Sequence, residues 1–238
     1  MSQENLPSGV PWRPRLRWLG TVAAIVAAII IVSLIAGCSS SKGGASKPNI
    51  TRATGTDAEV ALLLAGIPQR GNILGDPKAP VTLEYFGDLE CPFCRRFTLE
   101  ELPSLIHSYV RSGKLKIEYR SMETATRDPE TFNTQQLAAL AAGKQNKMWN
   151  FIELFYHEQG KEDSGYVTES YLQGLARQVP GLQLVAWTAD RSDTELANTI
   201  TSDARAADNA GLTSTPSFLI ANPSSMPYAS VIEKLLKE

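Results

Sequence analysis

The sequence is poor in the residues from which metal centres and disulfide scaffolds are built. Only three of its 238 residues are cysteine and two are histidine. Three cysteines cannot staple a chain of this length, so its stability must come from a packed core. Hydrophobic residues make up 43% of the chain, which is enough for one. Neither sign of charge dominates: 23 Lys and Arg face 25 Asp and Glu, a net of −2. That leaves no basic footprint, so nucleic acid is excluded as a partner. Glycine-rich phosphate loops, Ser/His/Asp triads and internal repeats are not evident. His107 and His157 are isolated on predicted helices and read as surface or boundary residues.

What is present begins with a leader. Arg13, Arg15 and Arg17 precede a stretch, 18–41, that carries no charge, and 22–35 is almost wholly apolar. A basic region followed by an apolar run is the pattern of a secretory signal or an N-terminal anchor. The run is close to the ~20 residues that span a bilayer as a helix. The arginine bias predicts a cytoplasmic N-terminus, with the rest of the chain outside. The run ends in Ile35-Ala36-Gly37-Cys38, which resembles a bacterial lipobox with Cys38 as the lipidated residue. The alternative is an uncleaved anchor in which Cys38 has no such role. Both readings put the chain at the cell membrane, facing outward. Residues 38–56, rich in Ser, Gly and Lys, read as a flexible spacer, and 57–238 as the folded domain.

The globular part alternates strand and helix signals. A short helix is expected at 57–65, capped by Asp57. Strands are expected at 81–86, 115–121 and 217–221 from their β-branched and aromatic content. A helix from Cys91 to about residue 111 is expected to kink at Pro103. Further helices are read at 131–146, 148–158, 169–179, 194–210 and 231–237. Trp149, Phe151, Phe155 and Tyr156 cluster at helical spacing and read as core. The order is that of an α/β sheet with a helical block, about 131–210, inserted before a late strand.

Two of the cysteines form Cys91-Pro92-Phe93-Cys94 at a predicted strand-to-helix junction. There Cys91 meets the unpaired N–H groups and positive dipole end of the helix, which favour a thiolate. Cys94, one turn on, is within reach to close a disulfide or resolve a mixed one. Half of a metal site is an alternative, but no second Cys-x-x-Cys or His-x-x-x-His is available to complete it. A static disulfide is another, though so short a loop stabilises little. Further along, Thr215-Pro216 opens an apolar strand. Proline cannot donate to the ladder there, and a turn with a cis bond would use it.

Taken together, these residues carry a resemblance. The segments 74–83 (Leu-Gly-Asp-Pro-Lys-Ala-Pro-Val-Thr-Leu) and 88–97 (Asp-Leu-Glu-Cys-Pro-Phe-Cys-Arg-Arg-Phe) resemble the DsbA-like branch of the thioredoxin superfamily. Thr215-Pro216-Ser217-Phe218 resembles its cis-proline loop. The resemblance implies a thioredoxin-like fold with a helical insertion domain. It implies Cys91 as exposed nucleophile, Cys94 as shielded partner, and Pro216 in cis beside them. Thr215 would pair with a client peptide, and Phe93 would add apolar surface for it. A buried acid beneath the pair often moves protons in the family, and Glu84 is the candidate; its alternative is a half-exposed strand residue. No cofactor is implied beyond the Cys91–Cys94 disulfide itself. Two departures stand out. Phe93 replaces the histidine common in strongly oxidising members, and only about ten residues separate Ile220 from the last expected helix, so the usual hairpin strand there is expected to be short or missing.

The expected activity is therefore protein disulfide oxidation or exchange on exported thiol-containing or unfolded proteins, with a membrane redox partner. The alternatives are a reductase or isomerase kept reduced by a membrane electron donor, and a non-catalytic tethered chaperone.

Overall fold

A computed structural model describes residues 55–221. The leader, Cys38, most of the spacer and the helix read at 231–237 lie outside the described residues. Among those described, no helix is long and apolar enough to cross a membrane.

The first helix, α1 (Thr56–Leu64), is capped by Gly55 and not by the Asp57 side chain. Asp57 instead lies in the first turn, where its charge suits the helix dipole. Two short strands follow that the sequence reading lacks: β1 (Gln69–Arg70) and β2 (Ile73–Leu74), paired antiparallel. Gly71, at φ +59°, makes the turn between them. β3 (Val81–Gly87) and β4 (Leu115–Ser121) run parallel, with Val81 opposite Leu115. β5 (Ser217–Ala221) lies antiparallel on the other side of β3, with Phe86 opposite Ser217. The sheet order is β1-β2-β4-β3-β5, so β3 lies between β4 and β5. An antiparallel neighbour starts where its partner ends. The sheet therefore brings residues 215–216 beside the loop that follows β3.

Between β3 and β4 the chain stays helical from Pro92 to Val110. α2 (Pro92–Arg96) passes into a π turn (Phe97–Glu101), then α3 (Leu102–Leu105), then a second π turn (Ile106–Val110). The kink expected at Pro103 takes this form. Proline offers no N–H and crowds the carbonyl four residues back, and the widened turns beside it relieve both. Gly113, at φ +68°, ends the run.

The inserted helices are α4 (Pro129–Lys144), α5 (Met148–His157), α6 (Glu169–Gln178), α7 (Leu184–Asp190) and α8 (Thr194–Asn209). α4 starts two residues earlier than expected because Asp128 caps it, accepting from Thr131 N–H at 2.9 Å. α7 is an addition to the expected set. It is anchored by the buried Trp187, whose indole N–H donates to the Ala138 carbonyl at 2.8 Å.

Strand alternation divides the sheet's two faces. Val81, Leu83 and Tyr85 join the main core with Cys94, Phe97 and α5, which is buried from Met148 to Tyr156. Phe86 lies on the other face, in a smaller cluster with Met122 and Ala207 of α8.

Candidate active site

Cys91 occupies the N-cap of α2 in extended conformation, with Pro92 in the first turn, where a missing N–H costs nothing. Both cysteines are free thiols. Cys91 Sγ accepts the Cys94 N–H at 3.4 Å and donates its own proton to the Thr215 carbonyl at 3.3 Å. The Thr215–Pro216 bond is cis.

The two sulfurs differ in electrostatics. The Cys91 thiol is lowered from the usual value near 9 to about 6. The largest cause is the hydrogen bond from Cys94, partly opposed by burial; Thr215 and the N–H groups of Cys94 and Phe93 add to it. This is the chemistry of a helix start: unpaired donors gathered where an anion can sit. Cys94 is fully buried, and burial followed by the neighbouring Cys91 sulfur pushes its thiol well up. One sulfur is thus poised to be an anion at neutral pH, and the other to keep its proton.

Three groups fix the loop between β3 and α2. The buried Asp88 carboxylate accepts five hydrogen bonds. They come from the N–H groups of Glu90, Thr124, Ala125 and Thr126 and from the Thr126 hydroxyl, at 2.6–3.1 Å. Gln159 Nε2 donates to the carbonyls of Leu89 and Cys91 at 2.7 and 3.2 Å. The Tyr156 hydroxyl donates to the Asp88 carbonyl at 3.2 Å, while Arg95 Nε donates to the Tyr156 carbonyl at 2.8 Å.

Of the residues singled out from sequence, Cys91, Cys94, Thr215 and Pro216 are brought together. Phe93 stands 59% exposed at the edge of the site, with the Arg96 guanidinium 5.6 Å from its ring centre. Phe97, by contrast, is buried against Tyr85 and Phe218.

Glu84 is not brought there, and this corrects the reading of it as a proton relay. It lies on the opposite sheet face, paired with Arg120 at 3.2 Å. Arg120 also binds Glu118 and Asp203 of α8. The residue on the cysteine side is Tyr85, fully buried, whose hydroxyl donates to the Cys94 carbonyl at 3.4 Å. That hydroxyl also lies 3.3 Å from Thr98 Oγ1 and 3.3 Å from the Tyr156 hydroxyl. Burial raises the phenols of Tyr85, Tyr119 and Tyr156 well above their usual range, so all three are neutral. Period-two counting back from the helix-covered positions Val81 and Leu83 reaches Tyr85 and passes over Glu84; that signal was available in the sequence. For Asp88, Thr124 and Gln159 no sequence signal exists, because their roles depend on loops meeting in space.

Comparison with known proteins agrees with this geometry. A family model described as thioredoxin matches residues 69–227. The chain is 25% identical over 170 residues to a probable disulfide bond formation protein D of Bacillus anthracis, covering 69% of this chain and 78% of that one. Its fold is similar to that of the oxidised form of BdbD from Bacillus subtilis, with a TM-score of 0.58 and 21% identity. That match covers 72% of this chain and 98% of that one. A thioredoxin-like oxidoreductase from Silicibacter pomeroyi aligns with a TM-score of 0.53 and 25% identity, over 75% of this chain and 98% of that one. The family model spans well over half of the chain, and the thioredoxin-like core with its inserted helices matches these neighbours: the chain belongs to the thioredoxin superfamily, in its DsbA-like family of thiol–disulfide oxidoreductases.

Proposed function

We propose that this protein is a membrane-tethered enzyme facing outward from the cell, which oxidises or exchanges disulfides in exported proteins through Cys91 and Cys94. The observation that carries the reading is the division of labour between the sulfurs: Cys91 drawn down to about 6, Cys94 buried and pushed up. In the oxidised enzyme a client thiolate attacks Cys91 Sγ. The Cys91–Cys94 bond breaks, and Cys94 leaves as a thiolate that takes up a proton. A second client thiolate then attacks the client's own sulfur in the mixed disulfide and releases Cys91 as a thiolate. The client gains a disulfide, two electrons stay on the enzyme pair, and a membrane redox partner removes them. A stabilised Cys91 thiolate favours the reduced enzyme and so favours oxidation of clients.

Thr215 supplies a backbone edge for the client beside Cys91, and Phe93 an apolar contact. The arginine-flanked apolar run ending at Cys38 supports the tether, with 1–37 as leader and 38–56 as spacer. Intact-mass analysis of the mature protein separates a lipidated Cys38 from an uncleaved anchor.

The mechanism is tested with two variants. Cys94→Ala cannot close the internal disulfide: its Cys91 thiolate attacks a client disulfide, releases one client thiolate and stays bound as a mixed disulfide that no Cys94 thiol can displace, whereas Cys91→Ala loses exchange and traps little. Full exchange activity in Cys91→Ala would overturn the reading. A reduction potential near that of thioredoxin, about −270 mV, would assign the reductase direction instead.

A further inference from the structure

The Thr215 side chain makes a contact that the exchange chemistry does not account for. Its hydroxyl is hydrogen-bonded to the hydroxyl of Thr124, ninety-one residues earlier in the chain. Thr124 lies in the loop after β4, and its own N–H donates to the Asp88 carboxylate at 3.0 Å. Asp88 takes the N–H groups of 124, 125 and 126 in succession on one oxygen, Oδ2. This fixes the backbone that presents Thr124. From Asp88 the same chain runs three residues to Cys91. A closed circuit therefore joins the cysteine loop, the loop after β4 and the cis-proline loop, and Thr215 closes it by accepting the Cys91 proton on its carbonyl.

Thr215 is almost wholly buried, while Thr124 is exposed. A free threonine side chain would rotate among its staggered positions and turn its hydroxyl away from the sulfurs for part of the time. A hydroxyl held by a donor on one side keeps its own hydrogen for an acceptor on the other. The Cys91 sulfur lies close by, 3.3 Å from the Thr215 carbonyl oxygen.

We propose that Thr124 is a positioning residue for the exchange reaction: its hydroxyl, set in place by Asp88, donates to Thr215 Oγ1 and so directs the Thr215 O–H toward the Cys91 sulfur. Thr124 touches neither sulfur and acts only through Thr215. In support, the Thr215 side chain lowers the titration of both cysteines, as a donor facing the pair would. The inference deepens the proposed exchange mechanism and rests on Cys91 being its nucleophile.

The test is a titration, which reads the thiol whether or not the enzyme turns over. Full-length protein in detergent is reduced and alkylated with iodoacetamide across pH 4–9. The product is read peptide by peptide, so that Cys38, Cys91 and Cys94 are scored separately. Thr124→Val keeps the shape and removes the hydroxyl; the Cys91 midpoint moves up, and its thiolate fraction at pH 6 falls about threefold. Thr124→Ala gives the same shift, and Thr124→Ser restores the parent profile. Melting temperatures stay at the parent value, because Thr124 is exposed. An unmoved midpoint in Thr124→Val and Thr124→Ala overturns the proposal. So does a shift in Thr124→Ser equal to that in Thr124→Val, since the methyl group would then be responsible. Failure of the exchange mechanism itself shows separately, as activity surviving in Cys91→Ala.

Discussion

The pH dependence of the reduction potential follows directly from the two sulfurs. Reducing the Cys91–Cys94 bond adds two electrons, and the number of protons taken up depends on pH. Between pH 6 and the raised value of Cys94, the reduced pair is one thiolate and one thiol, so a single proton enters. The potential should then fall by about 30 mV per pH unit. Below pH 6 both sulfurs are protonated, and the slope should double to about 59 mV per unit. The break belongs near pH 6 and reports the Cys91 thiolate. Its size can be worked out. Lowering a thiol from 9 to about 6 favours the reduced form at pH 7 by about 1.4 kcal/mol, or ~30 mV. The same thiolate makes the reduced fold more stable relative to the unfolded dithiol chain. That contribution is full above the unfolded value near 9 and is lost as pH falls through 6. The assay equilibrates the enzyme with glutathione couples from pH 5 to 8.5 and scores the dithiol fraction by alkylation. A slope of 59 mV per unit persisting to pH 8 would mean that Cys91 is not a thiolate, and would refute the helix-start argument. A slope well under 30 mV near neutrality would mean that Cys94 also ionises, and would refute its shielding.

Three further outcomes are expected. Glu153 is buried in α5 with Oε1 unpartnered, and burial raises it to about 8. Its contribution is full below pH 4.5 and is lost as pH rises toward 8. Glu153→Gln should therefore flatten the pH profile of chemical unfolding, with a relative gain on the order of 3 kcal/mol at pH 7; parallel profiles for parent and variant would count against it. Tyr85→Phe keeps the ring but strips a hydroxyl from three buried partners, so denaturant titration should show a loss of about 1–2 kcal/mol. Glu84→Gln should leave the rate of mixed-disulfide resolution unchanged in stopped-flow assays, because the carboxylate faces α8; a several-fold slowing would restore it as a relay.

Much of this architecture was legible in the sequence where local pattern and tertiary environment agree. The alternating run 115–121 is a strand with one face buried, and its bounds match β4. The Cys-x-x-Cys and Thr-Pro motifs mark the ends of two strands, and antiparallel pairing makes those ends neighbours. β1 and β2 were not legible, because two residues carry no period, and their pairing is set by β4 on the far side. α7 escaped because Leu184 and Val185 point outward, at 37% and 87% exposure, which blurs its apolar stripe. Glu84 misled because a carboxylate near a cysteine pair in sequence suggests proton transfer, whereas strand pleat decides which face it reaches. Asp88 shows the opposite limit. Its five donors come mostly from a loop some forty residues away, and nothing local announces them.

The antiparallel strand that follows Pro216 is also the last strand among the described residues, and it docks against a strand more than a hundred residues earlier. Synthesis proceeds from the N-terminus, so Cys91 and Cys94 emerge long before the segment that completes their cleft. Until then the pair lacks the Thr215 carbonyl and the client-binding edge, and it has only the donors of its own helix start. Chain order thus acts as a timer. The complete centre is assembled only once the whole helical block has been made, and a truncation between residues 94 and 215 yields a protein that holds both cysteines yet lacks the cis-proline side of their site.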